Sequence, residues 1–240
     1  MRDTRKDKAY FDGYLRFYEM QINRFKDAMG TIISERGTDD KGVQSGFVSL
    51  NVFYFNKLIA MYSAGCTIDE IKKFIPEVID NMEKAWRPSI IKSYDYYIKC
   101  VWMLSIGYLL ELDEKQMDRL GRLGETYRNR DALIDFLVDG RVENQAFFLD
   151  EPYPKLWDVL TGSDASDQVI QLKAYLENDW YKGHEEVGWH NTHHKEDYVY
   201  RGYWSFESGA IVKILGLDDS SLKDVPYYPY DMVHYKGCME

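Results

Sequence analysis

Apolar residues recur at three- and four-residue spacing along most of the chain, and strand-type alternation is sparse. In the first segment the apolar positions form one stripe with charges between them, and the polar run from Arg36 to Asp40 ends it. The segment from Phe47 to Ala64 is apolar on all sides, which is typical of a helix buried between neighbours, and Gly65 follows its last turn. The pattern therefore predicts an all-α protein.

Start signals divide the remaining chain into shorter helices. The Thr67–Glu70 segment has the capping-box arrangement, in which the threonine oxygen and the glutamate side chain satisfy backbone amides of the first turn. Pro76 lies inside the helix that follows and predicts either a kink or a new helix start. Pro88 is expected to open a fourth segment, and Asp113 to cap a short helix ending near Leu123. Further helices are predicted over residues 130–138, 152–160 and 164–180.

These elements predict a compact multi-helix bundle with helix-turn-helix corners. The chain has 240 residues, of which 45% are hydrophobic, and roughly 70% of the surface of a chain of this size is buried on folding. We expect an N-terminal helical part, residues 1–124, and a C-terminal helical part, residues 125–240, packed as one globular unit.

The net charge of the chain restricts the kinds of partner that it can bind. The chain has 40 acidic and 30 basic residues, a formal net charge of −10, which opposes binding to phosphate backbones and disfavours direct contact with nucleic acid. Counted by segment, the net charge is +1 over residues 1–50, −3 over 51–150 and −8 over 151–240. An acidic C-terminal third either aids solubility or complements a basic partner and steers its association.

Apolar runs and cysteines both indicate a cytoplasmic protein. The longest nearly apolar run, Val101 to Leu110, has ten residues, whereas a membrane helix needs about twenty, and the polar N-terminus lacks a signal-peptide stretch. Cys66, Cys100 and Cys238 are odd in number and far apart, which indicates reduced thiols. We therefore expect no membrane association.

One histidine cluster, over residues 184–194, raises the question of a metal site. If the stretch is helical, His190 and His194 lie one turn apart, as zinc ligands do. Gly188 and the sequence around it are poor helix formers, and Asn191 stands where a HExxH hydrolase has its glutamate. A polar loop is favoured, and no metal ligand or cofactor is predicted. The alternative is a metal-binding protein or small metal-dependent hydrolase built on His184, His190, His193, His194 and Glu207.

Catalytic motifs are missing from the sequence. It contains no GxSxG, no phosphate-binding GxxxxGK[ST], no GxGxxG after a strand and no paired-cysteine metal frame. Adjacent acids such as Glu185 and Glu186 point to different faces of a helix, so they are poor candidates for paired acid-base catalysis. We do not expect an enzyme.

Three ordered motifs in the last part of the chain carry a family resemblance. They are Gly-Tyr-Trp-Ser-Phe-Glu from Gly202, Gly-Leu-Asp-Asp-Ser-Ser-Leu-Lys-Asp from Gly216, and Pro-Tyr-Tyr-Pro-Tyr-Asp-Met-Val from Pro226. With the upstream Trp180–Gly183 and the opening segment Arg2–Tyr14, they resemble the PoNi family of bacterial immunity proteins. The resemblance spans nearly the whole chain. Two features depart from the family pattern: Gly209 stands in place of a helix-favouring small residue, and the HNTHH run is unusually rich in histidine.

The resemblance implies an all-helical cytoplasmic inhibitor that binds and neutralises a cognate PoNe-type DNase toxin, delivered between bacteria by polymorphic secretion systems. It implies no catalysis and no cofactor. The acidic C-terminal third agrees with a basic nuclease as partner. A helical interaction scaffold for some other basic partner is a further alternative.

Residue assignments follow from charge and from the motifs. Glu207 lies in an apolar helix and is costly to bury unless paired, so we expect it to hold Arg201 or a histidine of residues 190–194 in a polar pocket. Asp218–Ser220 either caps the next helix or presents acceptors to a partner arginine. The residues expected at the partner interface are Glu185, Glu186, His190, His194, Asp218 and Asp219. The motif residues expected to be structural are Trp180, Tyr203, Trp204, Glu207, Tyr227, Tyr228 and Pro229.

Overall fold

A computed structural model describes residues 1–87 and 92–237 of the chain, and within those ranges all regular secondary structure is helical. The all-α prediction is confirmed. The expected start at Pro88 and the Cys238 thiol lie outside the described residues. The α-helices are α1 (Lys8–Arg36), α2 (Lys41–Ala64), α3 (Ile68–Ala85), α4 (Tyr94–Leu109), α5 (Glu114–Gly124), α6 (Ala132–Asp139), α7 (Trp157–Thr161), α8 (Ala165–Ala174), α9 (Phe206–Leu215) and α10 (Tyr230–Val233).

Several helix ends have the capping interactions that the sequence predicts. Gly65 adopts a left-handed conformation (φ 86°) at the end of α2, and its amide donates to backbone carbonyls of the last turn. Thr67 forms the predicted capping box with Glu70, with both hydrogen bonds present. Helix α2 begins earlier than predicted, because the Asp40 side chain accepts from the Gly42 amide and caps it. Helix α3 continues through Pro76, so the predicted new start at this residue is wrong.

The chain divides into two compact units. The first contains Met1–Ile90 and Asn191–Gly202, and the second contains Ile91–His190 and Tyr203–Glu240. In the first unit α2 packs against both α1 and α3, which explains why it is apolar on all sides. The division of the sequence at residue 124 stays a prediction.

In the first unit, residues 191–202 are held by side-chain hydrogen bonds. The Tyr10 hydroxyl accepts from the Tyr200 amide (2.9 Å), and the Ser63 hydroxyl donates to the Arg201 carbonyl (2.7 Å). The Arg201 guanidinium donates to Asn56 Oδ1 (2.5 Å). Hydrogen bonds between segments this distant in sequence fix the path of a stretch that has little helix of its own.

Asp3 anchors the N-terminus of the first unit. Its side chain is fully buried, accepting the Tyr200 hydroxyl at Oδ2 (2.5 Å) and the Arg5 amide at Oδ1 (2.8 Å). The Arg5 guanidinium lies 3.4 Å from Oδ2 and supplies the countercharge. Because a buried carboxylate needs donors and a countercharge, this short segment is tied firmly to residues 191–202.

Asp3→Ala is expected to lower the free energy of unfolding by about 2 kcal/mol, because the Tyr200 hydroxyl and the Arg5 amide both lose their acceptor. Asp12→Ala is the matched control. Asp12 forms an exposed pair with Lys8 on α1, and its loss should change stability by less than about 0.5 kcal/mol. Urea unfolding followed by circular dichroism measures both, and equal effects of the two substitutions would contradict the anchoring role.

The second unit is built around α4. This helix packs against α5, α6 and α9, and all of its residues from Cys100 to Gly107 are buried. Helix α8 continues directly into a π-helix, Tyr175–Trp180, in which the wider turn presents Tyr175, Leu176 and Trp180 to the interior.

No helix among the described residues is both long and apolar enough to cross a membrane.

Candidate partner-binding site

The second unit contains an acidic groove. It has a volume of about 880 Å³ and is lined by residues from three segments, 93–95, 149–155 and 179–188. Lys155 and Lys182 are its two basic side chains, so the formal net charge of the lining is −4. The acidic lining residues are Asp95, Asp150, Glu151, Asp179, Glu185 and Glu186.

The groove also has apolar and aromatic lining. Leu149, Val187 and Tyr94 contribute to its wall. The Tyr94 hydroxyl is buried without a hydrogen-bond partner among the described residues, and its burial raises the pKa of the phenol well above its ordinary value. The lining therefore combines apolar surface with carboxylates, an arrangement suited to a side chain with an apolar stem and a cationic head.

Gly183 brings two of the three lining segments together. A Cβ atom added at Gly183 would lie 2.6 Å from Pro152 Cβ and 3.0 Å from Pro152 Cα, closer than real side-chain carbons approach. The absence of a side chain at this position therefore sets the separation of residues 149–155 from residues 179–188.

Asp131 positions the segment that carries Leu149, Asp150 and Glu151. One carboxylate oxygen of Asp131 accepts from the Tyr97 hydroxyl and the Phe148 amide, both at 2.8 Å, and the other accepts from the Ile134 amide at 2.8 Å. Asp131 is fully buried, and desolvation raises the pKa of its carboxyl although the three donors oppose the shift.

Asp131→Asn is expected to lower the free energy of unfolding by about 2 kcal/mol. Both carboxylate oxygens of Asp131 accept hydrogen bonds, whereas an asparagine side chain has only one oxygen and places an NH₂ group at the other position. We also expect faster hydrogen exchange of the Phe148 amide, because its hydrogen bond to Asp131 is the one nearest the groove. Asp139→Asn on the same helix is the control, since Asp139 forms only a partly exposed pair with Arg128. Unchanged exchange at Phe148 would show that Asp131 does not hold this segment.

The histidines predicted as a possible metal cluster do not form one. Among the described residues no group of three or more His, Cys, Asp or Glu side chains is arranged to hold a metal ion. His184 is fully buried, its Nδ1 donates to the Trp180 carbonyl (2.5 Å), and its Nε2 lies 3.5 Å from the Tyr153 hydroxyl. Burial lowers the pKa of His184 to about 4, so its ring is neutral in the folded protein at physiological pH.

The other histidines have separate surroundings. The ring of His190 packs against Tyr181 in the second unit, tilted to it, with 4.1 Å between ring centroids. In the first unit the rings of His193 and His194 pack against each other in a tilted arrangement, with 3.8 Å between ring centroids, and the HNTHH run forms only a single 3₁₀ turn, Thr192–His194. The helical spacing that would align two zinc ligands is therefore not adopted.

Glu207 has different partners from those predicted. Its Oε1 accepts from the Trp180 indole (2.7 Å), from the Ser205 hydroxyl (2.6 Å) and, at 3.4 Å, from the Tyr175 hydroxyl. The prediction that it holds Arg201 or a histidine is wrong, because Arg201 donates to Asn56 and these neutral donors occupy the carboxyl instead.

The aromatic motif residues form the packed surroundings of Glu207. Helix α9 begins at Phe206, so Tyr203 and Trp204 precede it rather than lying on it. Trp180 and Tyr227 pack with 4.8 Å between ring centroids, and the Tyr227 carbonyl accepts from the Ser205 amide (2.9 Å). The buried motif residues are Trp180, Tyr203, Trp204, Glu207, Tyr228 and Pro229.

Gly209, which departs from the family pattern, has a packing reason. An added Cβ would lie 2.7 Å from Pro229 Cγ and 3.0 Å from Val233 Cγ2. Glycine thus allows the last motif to approach α9 closely, and this contact outweighs the lower helix propensity of glycine.

The six predicted interface residues have different environments. Glu185 and Glu186 are exposed and line the acidic groove. Asp218 is exposed, and its carboxylate accepts from the Ser220 amide (3.0 Å), which lowers its pKa. Asp219 is 6% exposed and accepts from the Tyr228 hydroxyl (2.7 Å), which leaves little of its surface for a partner.

Four acidic residues of the groove lie outside the predicted set. Asp95 comes from the start of α4, Asp150 and Glu151 from the segment before α7, and Asp179 from the π-helix. Because these residues are far apart in the sequence, no local pattern identifies them as a cluster. The accumulation of negative charge over residues 151–240 pointed only to the region of Glu151 and Asp179, and no sequence signal pointed to Asp95 or Asp150.

Comparison with known families identifies the class of protein. The family model for the PoNe immunity protein (PoNi) N-terminal part matches residues 2–122, and the model for the PoNi C-terminal part matches residues 129–232. The chain therefore belongs to the PoNe immunity protein family. Membership supports an immunity role and implies a cognate toxin as partner, which is the role of an inhibitor rather than of an enzyme.

A solved structure has a similar fold. The crystal structure of protein PA2201 from Pseudomonas aeruginosa superposes with a TM-score of 0.75 at 18% sequence identity, covering 98% of this chain and 90% of that chain. At this identity the likeness concerns the fold alone. No curated protein matches the chain in sequence.

Proposed function

We propose that this protein is a cytoplasmic immunity protein that binds a cognate PoNe-type DNase toxin at the acidic groove and inhibits it stoichiometrically, without catalysis and without a cofactor. The observation that supports the site is a concave lining with six acidic and two basic side chains. Family membership supports the immunity role.

Electrostatics favours a basic nuclease surface as the partner. A DNase that acts on duplex DNA needs lysine and arginine side chains to neutralise phosphates. A concave surface with a net charge of −4 focuses negative potential, raises the rate of encounter with such a surface and competes with DNA for it. Occupation of the phosphate-binding surface is sufficient to prevent cleavage.

The shape and lining of the groove favour insertion of one or more basic side chains. Leu149, Val187 and Tyr94 offer apolar contacts to the methylene stem of a lysine or arginine, and Glu185 and Glu186 accept hydrogen bonds from its head. Arginine is the better fit, because its planar guanidinium binds carboxylates through two parallel hydrogen bonds.

The double substitution Glu185→Gln and Glu186→Gln tests the site with little change in side-chain shape. We expect the association rate with the cognate DNase to fall by about tenfold at low salt, because two charges are removed from the rim of the groove. The difference should shrink as ionic strength rises, since screening weakens the steering in both proteins. Stopped-flow binding at several salt concentrations measures it, alongside DNA cleavage at a one-to-one ratio.

The matched control is Glu114→Gln with Glu125→Gln, two exposed acidic residues of the same unit outside the groove lining. It removes the same formal charge and should leave the association rate within about twofold of the parent. If both double variants behave alike, net charge and not the groove governs binding. If the unsubstituted protein neither binds nor inhibits the cognate DNase, the proposed function itself is wrong.

A further inference from the structure

Glu207 is a fully buried carboxyl group in the second unit, at 0% exposure in the first turn of α9. Its Oε1 accepts hydrogen bonds from Trp180 and Ser205 at 2.7 Å and 2.6 Å, and a long contact from Tyr175 at 3.4 Å. Its Oε2 is buried and has no hydrogen-bond partner among the described residues.

This asymmetry is the pattern expected of a neutral carboxylic acid. A carboxylate shares its charge between two oxygens, and a buried one needs donors on both. Here the three side-chain donors converge on Oε1, which corresponds to the carbonyl of a protonated acid, and Oε2 corresponds to its hydroxyl.

Among the residues that the structure describes, the titratable groups that interact with Glu207 supply no countercharge. The titratable side chains that interact with it are Tyr94 from α4, Tyr153 from the segment before α7, and Tyr175 from the π-helix. All three phenols have raised pKa values and are neutral. His184, which packs on the Trp180 ring, is neutral as well, and Asp179 and Asp95 add only negative charge near Tyr175 and Tyr94. An ionised Glu207 would therefore be a buried charge without a partner.

We propose that Glu207 is a buried proton switch: the folded protein holds it as the neutral acid with the proton on Oε2, and its ionisation weakens the packing of the π-helix on α9. Asp179 lies in this π-helix, and Glu185 and Glu186 lie in the segment that follows it. The switch therefore acts on the part of the chain that carries half of the acidic groove lining. The inference does not depend on the identity of the partner.

The direction of the pH dependence follows from burial. Desolvation raises the pKa of Glu207 to about 7, against the opposing hydrogen bonds from Ser205, from its own backbone amide, and from Trp180 and Tyr175. In the unfolded chain the carboxyl ionises near its ordinary pKa of 4.5. Between these two pKa values the folded state holds the proton and the unfolded state has lost it. The free energy of unfolding therefore falls as pH rises from about 4.5 to about 7. Above that range the contribution of Glu207 to the free energy of unfolding is constant.

Glu207→Gln is the direct test, because glutamine reproduces the shape and hydrogen bonding of the protonated acid and does not titrate. Urea unfolding of the full chain is measured from pH 5 to pH 8.5. We expect the unfolding equilibrium constant of the parent, divided by that of the variant, to rise by about two orders of magnitude across this range and then level off. The control Glu177→Gln, an exposed residue of the same π-helix, should keep the pH dependence of the parent.

A second measurement applies to the parent protein and does not depend on how the variant folds. In protein labelled with ¹³C at glutamate side chains, the Glu207 carboxyl resonance, assigned by its loss in Glu207→Gln or by through-bond correlation, should titrate far above the range of exposed glutamates. Titration of this resonance in the ordinary glutamate range would overturn the proposal. So would a parallel pH dependence of stability in the parent and in Glu207→Gln.

Discussion

The hydrogen bond from the Trp180 indole to the Glu207 carboxyl is the contact on which the second unit depends most. It joins the π-helix to α9 at a point where both side chains are fully buried. An indole N–H and a carboxyl group each cost free energy when removed from water, and the bond compensates both. Ser205 completes the arrangement and ties the segment before α9 to Tyr227. Two of the motifs that carry the family resemblance, those beginning at Gly202 and Pro226, thus meet beside this polar contact in an aromatic interior.

The acidic groove has a different physical basis. Its wall depends on close backbone approach at Gly183 and on the hydrogen bonds that Asp131 accepts, while its carboxylates face solvent. These buried contacts keep the carboxylates within one concavity although like charges repel. High salt should weaken the negative potential that the carboxylates produce. The buried scaffold sets the geometry of the groove, and the exposed carboxylates set its negative potential.

The helices were predictable from sequence because their signals are local. The stripe of α1, the capping box at Thr67 and the cap at Asp113 each depend on neighbouring residues, and the structure confirms them. The environment of Glu207 was predicted incorrectly, because its partners come from Trp180 and Tyr175 in another segment and no local pattern connects them. The groove was only partly foreseen for the same reason: Glu185 and Glu186 were identified, and the other four acids became neighbours only through folding.

Hydrogen exchange of the full chain with and without a cognate nuclease toxin is the sharpest test of whether that toxin binds at the acidic groove. We expect slower exchange on binding in residues 149–155 and 179–188, with smaller changes in the remainder of the chain. Formation of a tight complex in which these two segments exchange at their free rates, and protection is found elsewhere, would contradict it.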